Sequence, residues 1–452
     1  MRRRRPPVVL SAVAALLVSS PLLPALAQAD TPPPAVRQVV SRADQLPRRD
    51  HVLPALPSEL LLTPLETLQP LGARLEAQLA ADLAAYDIQD NATLRDLYTA
   101  RATLAQLRGD WGAVPGWTAK ARALQDKPAG RLASGVLTDL LAHQRQAQRD
   151  AGWLRDEVTR RFGAMPWADV QDLVKSTKGS IETYSPEVVR GALQAQVDTV
   201  ARNGQLSVPD VVALMVIGAR MQRELLAPNQ AAIVQGLQAV VDANTRTAVR
   251  PDLWTPRTFA IASDARASEV VVAVWDSGVD LALFRPAAAR GMASDDGGQP
   301  ATDLLRPLGD AASRWPQLRG LVKGAMDQRA ALDTPDARQF RSTLAGLKAD
   351  QVRGFSEDMA LAGLYVHGTH VAGIAVDGNP FARVYTATML WNHRTEPPRP
   401  DEARSRSIAQ AYGRIVRGFQ DAGVRVVNMS WRYSPGAHEA MLAFHKIGRA
   451  HV

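Results

Sequence analysis

The sequence predicts an α/β fold: an incomplete parallel doubly wound sheet, preceded by an all-α N-terminal domain. Three observations lead there. A continuous apolar run, Val270-Val271-Val272-Ala273-Val274-Trp275, ends in Asp276 and Gly278, the pattern of a strand buried on both faces of a parallel sheet. Downstream of it, strand-like and helix-like segments alternate, the order that parallel crossovers impose. Upstream of about residue 250 the periodicity is helical, with no alternation of period two.

Composition sets the limits. With 452 residues the chain has room for two or three domains, each able to bury a core. A hydrophobic content of 46% against 22% charged residues is that of a globular protein and excludes global disorder. The absence of cysteine excludes disulfides, thiolate metal sites and a lipidated N-terminal cysteine. Part of the formal net charge of +8 comes from Met1 to Ala27, which hold four arginines and no acid. No basic stripe interleaved with aromatics remains after them, so nucleic acid is not an expected partner.

Residues 1–27 have the three parts of a secretory signal: Arg2 to Arg5, an apolar run from Val8 to Val18, and Ala25-Leu26-Ala27 as a small-residue cleavage site. The expectation is an exported protein, periplasmic, cell-surface or extracellular, with no later apolar run long enough for a membrane span. Residues 28–57, rich in Pro, Ala and charge, read as a leader or linker. Over 58–249, Leu94, Leu97, Leu104 and Leu107 recur at helical spacing, and Ser207-Val208-Pro209-Asp210 resembles a capping box. Residues 250–268, with Pro251 and Pro256, read as a linker into a second domain.

In that second domain, the apolar run delivers Asp276 to the C-terminal end of its strand, where ligand crevices of open α/β sheets form. The second chemical stretch is Val366-His367-Gly368-Thr369-His370-Val371-Ala372-Gly373. Its small apolar continuation predicts a buried helix opening at His367, where the helix dipole would disfavour imidazolium and leave a neutral base. Further on, Ala382 to Leu390 reads as a strand, Ile408 to Ala422 as a helix closed by Gly423, and Val424 to Ser430 as another strand.

Asp276-Ser277-Gly278, His367-Gly368-Thr369-His370-Val371-Ala372-Gly373 and Val426-Val427-Asn428-Met429-Ser430 together resemble the subtilisin-like serine peptidases, the subtilases of peptidase family S8. The resemblance implies a subtilisin-like catalytic domain over 269–446 with an insertion at 285–360, and a protein or peptide substrate. It implies Asp276 as the acid that orients the base and His367 as the base, with His370 structural. Ser430, Trp431 and Arg432 would line the substrate cleft and pair with an extended peptide. Trp275 stands where the family has an aliphatic residue, and its indole needs room and a partner in the core. Calcium is implied by resemblance alone, and no ligand pattern in the sequence marks a metal site.

The family also needs a nucleophilic serine in a G-T-S-x-A motif and an oxyanion asparagine downstream of the cleft strand. Neither is found in the 22 residues after Ser430. Ile447-Gly448-Arg449-Ala450-His451-Val452 is also what one reading frame of a common sequencing adaptor encodes. The expectation is a C-terminally truncated fragment with an artefactual tail at 447–452, inactive as it stands, and with an exposed sheet edge after Ser430. The alternative is a non-catalytic exported protein, its helical domain binding a partner and its subtilase half a relic. Oligomeric state stays open.

Overall fold

The computed structural model describes residues 37–198, 206–245, 255, 258–330, 332–396 and 401–431. The expected signal segment, Arg432 and the expected tail lie outside the described residues. The fold is mixed α/β with a mostly parallel sheet.

Between residues 57 and 245 helix follows helix around one core that includes Leu60, Leu71, Leu104, Leu154, Ile217 and Ile233. The leucine periodicity forms the helix Asn91–Leu107, opened by Asp90, whose carboxylate accepts from the Thr93 N–H at 2.9 Å. Among the described residues, β1 (Gln38–Val40) and β2 (Asp50–Val52) precede these helices, and β3 (Tyr86–Ile88) and β4 (Ser207–Pro209) lie between them. β1 pairs with β3 in parallel, and β2 pairs with β4 antiparallel.

Those strands correct two expectations. Residues 38–53 are built into the helical half: Val40 and Leu53 are buried, and Arg49 holds the Asp82 carboxylate through two hydrogen bonds of 2.7 Å. Composition hides this because the pairing is non-local, His51 lying opposite Val208. Ser207 to Pro209 form a strand instead of a capping box, and the helix Asp210–Leu225 starts behind Pro209 with no side-chain cap.

The second half holds a sheet of β5 (Val270–Asp276), β6 (Pro286–Asp295), β7 (Pro300–Ala301), β8 (Ala382–Leu390) and β9 (Val424–Asn428), in the order β7-β6-β8-β5-β9. All neighbours are parallel except the β6–β7 hairpin. The stretch 285–360 supplies β6 and β7, the helices Trp315–Arg329 and Pro335–Gly346, and the first turns of the helix Ala349–Val376.

Strand parity sorts the two faces. Trp275 on β5 and Tyr385, Ala387 and Met389 on β8 pack against Tyr412, Ile415 and Phe419 of the helix Glu402–Asp421. Val274 and Val384 point the other way and pack with Ala372 of Ala349–Val376, hereafter the histidine helix. Asp276 has the parity of Val274 and so emerges on the histidine-helix side.

The histidine helix also joins the two halves. At Gly191, in the helix Pro186–Gln196, a Cβ would lie 2.3 Å from the Ala349 carbonyl oxygen and 2.6 Å from Val352 Cβ, so the two helix backbones touch. Nearby, Gln328 Nε2 donates to Glu182 Oε2 at 2.9 Å. With a mean hydropathy of 1.3 over its most apolar 18 residues, this helix is long and apolar enough to cross a membrane by length and composition. That corrects the expectation that no later run reaches such a length; helix-forming residues extend it well before the motif.

Candidate active site

The apolar run predicted the central strand correctly: β5 lies between β8 and β9 and carries Asp276, fully buried, to its C-terminal end. Gly278 follows with φ of +120°, a backbone that a side chain would strain, and its missing Cβ leaves room for the Leu304 carbonyl and Leu305. The turn then runs into Asp280, whose carboxylate accepts from the Ala282 N–H at 3.1 Å and closes it.

His367 Nδ1 lies 2.7 Å from Asp276 Oδ1. A carboxylate only accepts, so Nδ1 carries the hydrogen, and in the neutral ring the lone pair is then on Nε2, the tautomer a general base requires. The ring is 49% exposed whereas the carboxylate is inaccessible, so substrate can approach the imidazole but not the acid. Asp276 Oδ1 also accepts from the Ser277 N–H at 2.7 Å, and Oδ2 is buried without a hydrogen-bond partner among the described residues. An imidazolium forming beside it would meet a negative charge that water does not screen.

One expectation about His367 fails. It does not open its helix: Ala349–Val376 runs for 28 residues, and His367 sits past its middle. The helix dipole therefore does not hold this ring neutral. Orientation comes from Asp276 alone. His370, expected to be structural, is exposed, with no side-chain hydrogen bond among the described residues.

Three residues hold the pair together, and the sequence did not single out their contacts. Gly368 presses its backbone on the aspartate turn: a Cβ there would lie 2.3 Å from the Gly278 carbonyl oxygen and 3.2 Å from Asp276 Cβ. Thr369 Oγ1 accepts from the Asp280 N–H at 3.0 Å. Ser277 Oγ lies 2.6 Å from the Leu364 carbonyl oxygen and accepts from the Gly368 N–H at 3.3 Å, reaching both groups that close one helical turn. Their signal was the motif spacing itself, Ser and Gly after Asp276, Gly and Thr after His367.

With an oriented imidazole and a buried carboxylate in place, residues 267–446 match the model of the subtilase family, peptidase S8. The chain carries a subtilisin-like peptidase domain. Comparison with curated proteins and with solved structures returned no match.

In this subtilase domain the expected cleft residues divide. Ser430 Oγ donates to Asn428 Oδ1 at 2.8 Å. Trp431 turns to the sheet and donates from Nε1 to the Trp275 carbonyl at 2.7 Å, packing edge-on at 5.3 Å from the Trp275 ring. The room that Trp275 needed is thus made by Tyr412, Phe419 and Trp431. Among the described residues, no group of three or more histidine or acidic side chains converges as a metal site. Among the described residues β9 lies at the edge of the sheet, with Val426 and Val427 exposed in it and Met429 exposed just after it.

Proposed function

We propose that this subtilase domain belongs to an exported serine endopeptidase that cleaves protein substrates by acyl transfer. The observation that carries the reading is the 2.7 Å contact between buried Asp276 and half-exposed His367. His367 Nε2 takes the proton of an attacking serine hydroxyl, the imidazolium is held by the Asp276 charge, and the proton then passes to the leaving amine. The two serines beside the pair or on the expected cleft are engaged elsewhere: Ser277 with Leu364 and Ser430 with Asn428. Neither of these two serines is therefore the nucleophile that this reading requires.

Export rests on the basic head, apolar run and small-residue site of residues 1–27. In the protein as its source makes it, a fluorophosphonate reagent should label one serine, and His367→Ala should abolish both labelling and casein hydrolysis. Labelling and hydrolysis unchanged in His367→Ala would refute the peptidase and favour a non-catalytic exported protein whose helical half binds a partner.

A further inference from the structure

Beside the aspartate turn lies a cation with no acid of its own. Arg306 follows Leu304 and Leu305, the segment that holds the turn: Leu304 O accepts from the Val279 N–H at 3.1 Å and from Thr388 Oγ1 at 2.7 Å, and Leu305 bridges Gly278. Thr388 stands opposite Asp276 in the sheet register. Arg306 is therefore placed at the same C-terminal sheet edge as the catalytic pair.

Its guanidinium is half-buried and donates to the Trp391 carbonyl, with no ion pair to any described residue. Burial pushes this guanidinium down from its ordinary range, only Asp296 opposing, and Asp296 is itself paired with Arg404 at 2.8 Å. Two residues beyond that carbonyl stands His393, whose Nδ1 is buried without a hydrogen-bond partner among the described residues. Burial, then the charges of Arg306 and Arg394, hold the His393 imidazole below its ordinary range, with Glu357 and Asp358 opposing. Both acids are committed, Glu357 to Arg394 at 2.7 Å and Asp358 to Arg314. A desolvated cation bonded to the segment that carries an orphaned ring nitrogen leaves two costly groups, and one bound anion would relieve both.

We propose that Arg306 and His393 form a subsite for a carboxylate, through which the subtilase domain selects substrates carrying an aspartate or glutamate side chain. The fork of Arg306 matches a carboxylate, and His393 supplies a second donor when protonated. The segment bearing His393 is anchored on the histidine helix by Glu357, ten residues before His367 and so about 15 Å along its axis. An extended peptide of about five residues spans that distance. Calling the site a substrate subsite rests on the peptidase function; carboxylate binding itself needs no nucleophile.

The test uses the full 452-residue chain with two capped peptides, acetyl-Ala-Ala-Glu-Ala-Ala-amide and its Gln counterpart. Binding is followed by the His393 imidazole proton resonance, assigned by its loss in His393→Gln. The Glu peptide should raise the His393 pKa and bind about tenfold or more tightly than the Gln peptide. Arg306→Gln should erase the difference, while Arg306→Lys should keep part of it. Equal binding of the two peptides to the wild-type chain, a His393 titration unmoved by either peptide, or a preference that survives in Arg306→Gln would overturn the proposal. None of these readouts passes through His367, so casein hydrolysis unchanged in His367→Ala alongside retained glutamate preference would count against the peptidase function alone.

Discussion

Replacing Gly368 by alanine probes the contact on which the pairing of His367 with Asp276 depends. The added Cβ would meet the Gly278 carbonyl oxygen at 2.3 Å, whereas an ordinary carbon–oxygen contact needs about 3.3 Å or more. The histidine helix and the aspartate turn must therefore part by about 1 Å, which stretches the 2.7 Å His367–Asp276 bond beyond the range of a hydrogen bond. Neither side yields cheaply. The obstacle is a backbone carbonyl, and Gly278 is walled in by Leu304 and Leu305. Alanine gains about 1 kcal/mol of helix propensity over glycine, and overpacking costs about 1–3 kcal/mol, so the clash should win. Calorimetry should show a melting temperature lower by several degrees, and the downfield proton resonance of the His367 Nδ1–H should disappear. Gly363→Ala, in the same helix where a Cβ meets nothing within 4 Å, should raise stability and keep the resonance. If Gly368→Ala behaved like Gly363→Ala, the close approach assigned to this glycine would be wrong.

Other outcomes follow from the same contacts. Burial alone would raise the Glu357 carboxyl, but hydrogen bonds from Arg394, Thr395 and Arg353 outweigh it and hold it at about 2, below its ordinary 4.5. Because the folded value is depressed, its contribution is complete above pH 4.5 and lost as pH falls toward about 2; acid titration of stability should lose that component in Glu357→Gln. Gly191→Ala should push the Pro186–Gln196 helix off Ala349 and Val352, read as a lower melting temperature in calorimetry. Trp431→Phe should cost about 1 kcal/mol for its bond to the Trp275 carbonyl, and Trp431→Ala about 1–3 kcal/mol with the edge contacts also gone, measured by denaturant unfolding.

What was legible in the sequence was what local pattern controls. The β5 run, the period of β8 and the Gly423 stop after Glu402–Asp421 each appear in the structure close to where the residues place them. Asp276 and His367 were found because Ser277, Gly278, Gly368 and Thr369 must accompany them for the turn and helix to touch. Non-local structure stayed hidden. β6 contains Pro286-Ala287-Ala288-Ala289, residues of weak strand propensity, yet it pairs with β8, with an irregular register before Gly291 and a φ of +147° at that glycine. The start of the histidine helix was misplaced because the motif drew attention to His367, while no proline separates Ala349 from it. Trp431, read as a cleft residue from its place after Ser430, packs inward because Trp275, Tyr412 and Phe419 offer an aromatic cluster.

The most direct measurement is peptide hydrolysis by Asp276→Asn in the protein as its source makes it. An asparagine fits the same buried space, but it removes the charge and allows an amide donor to face Nδ1, so the base is held in the wrong tautomer. The rate constant should fall by about 10⁴-fold with little change in KM. A rate within a few fold of the unsubstituted enzyme would contradict the role given to this carboxylate.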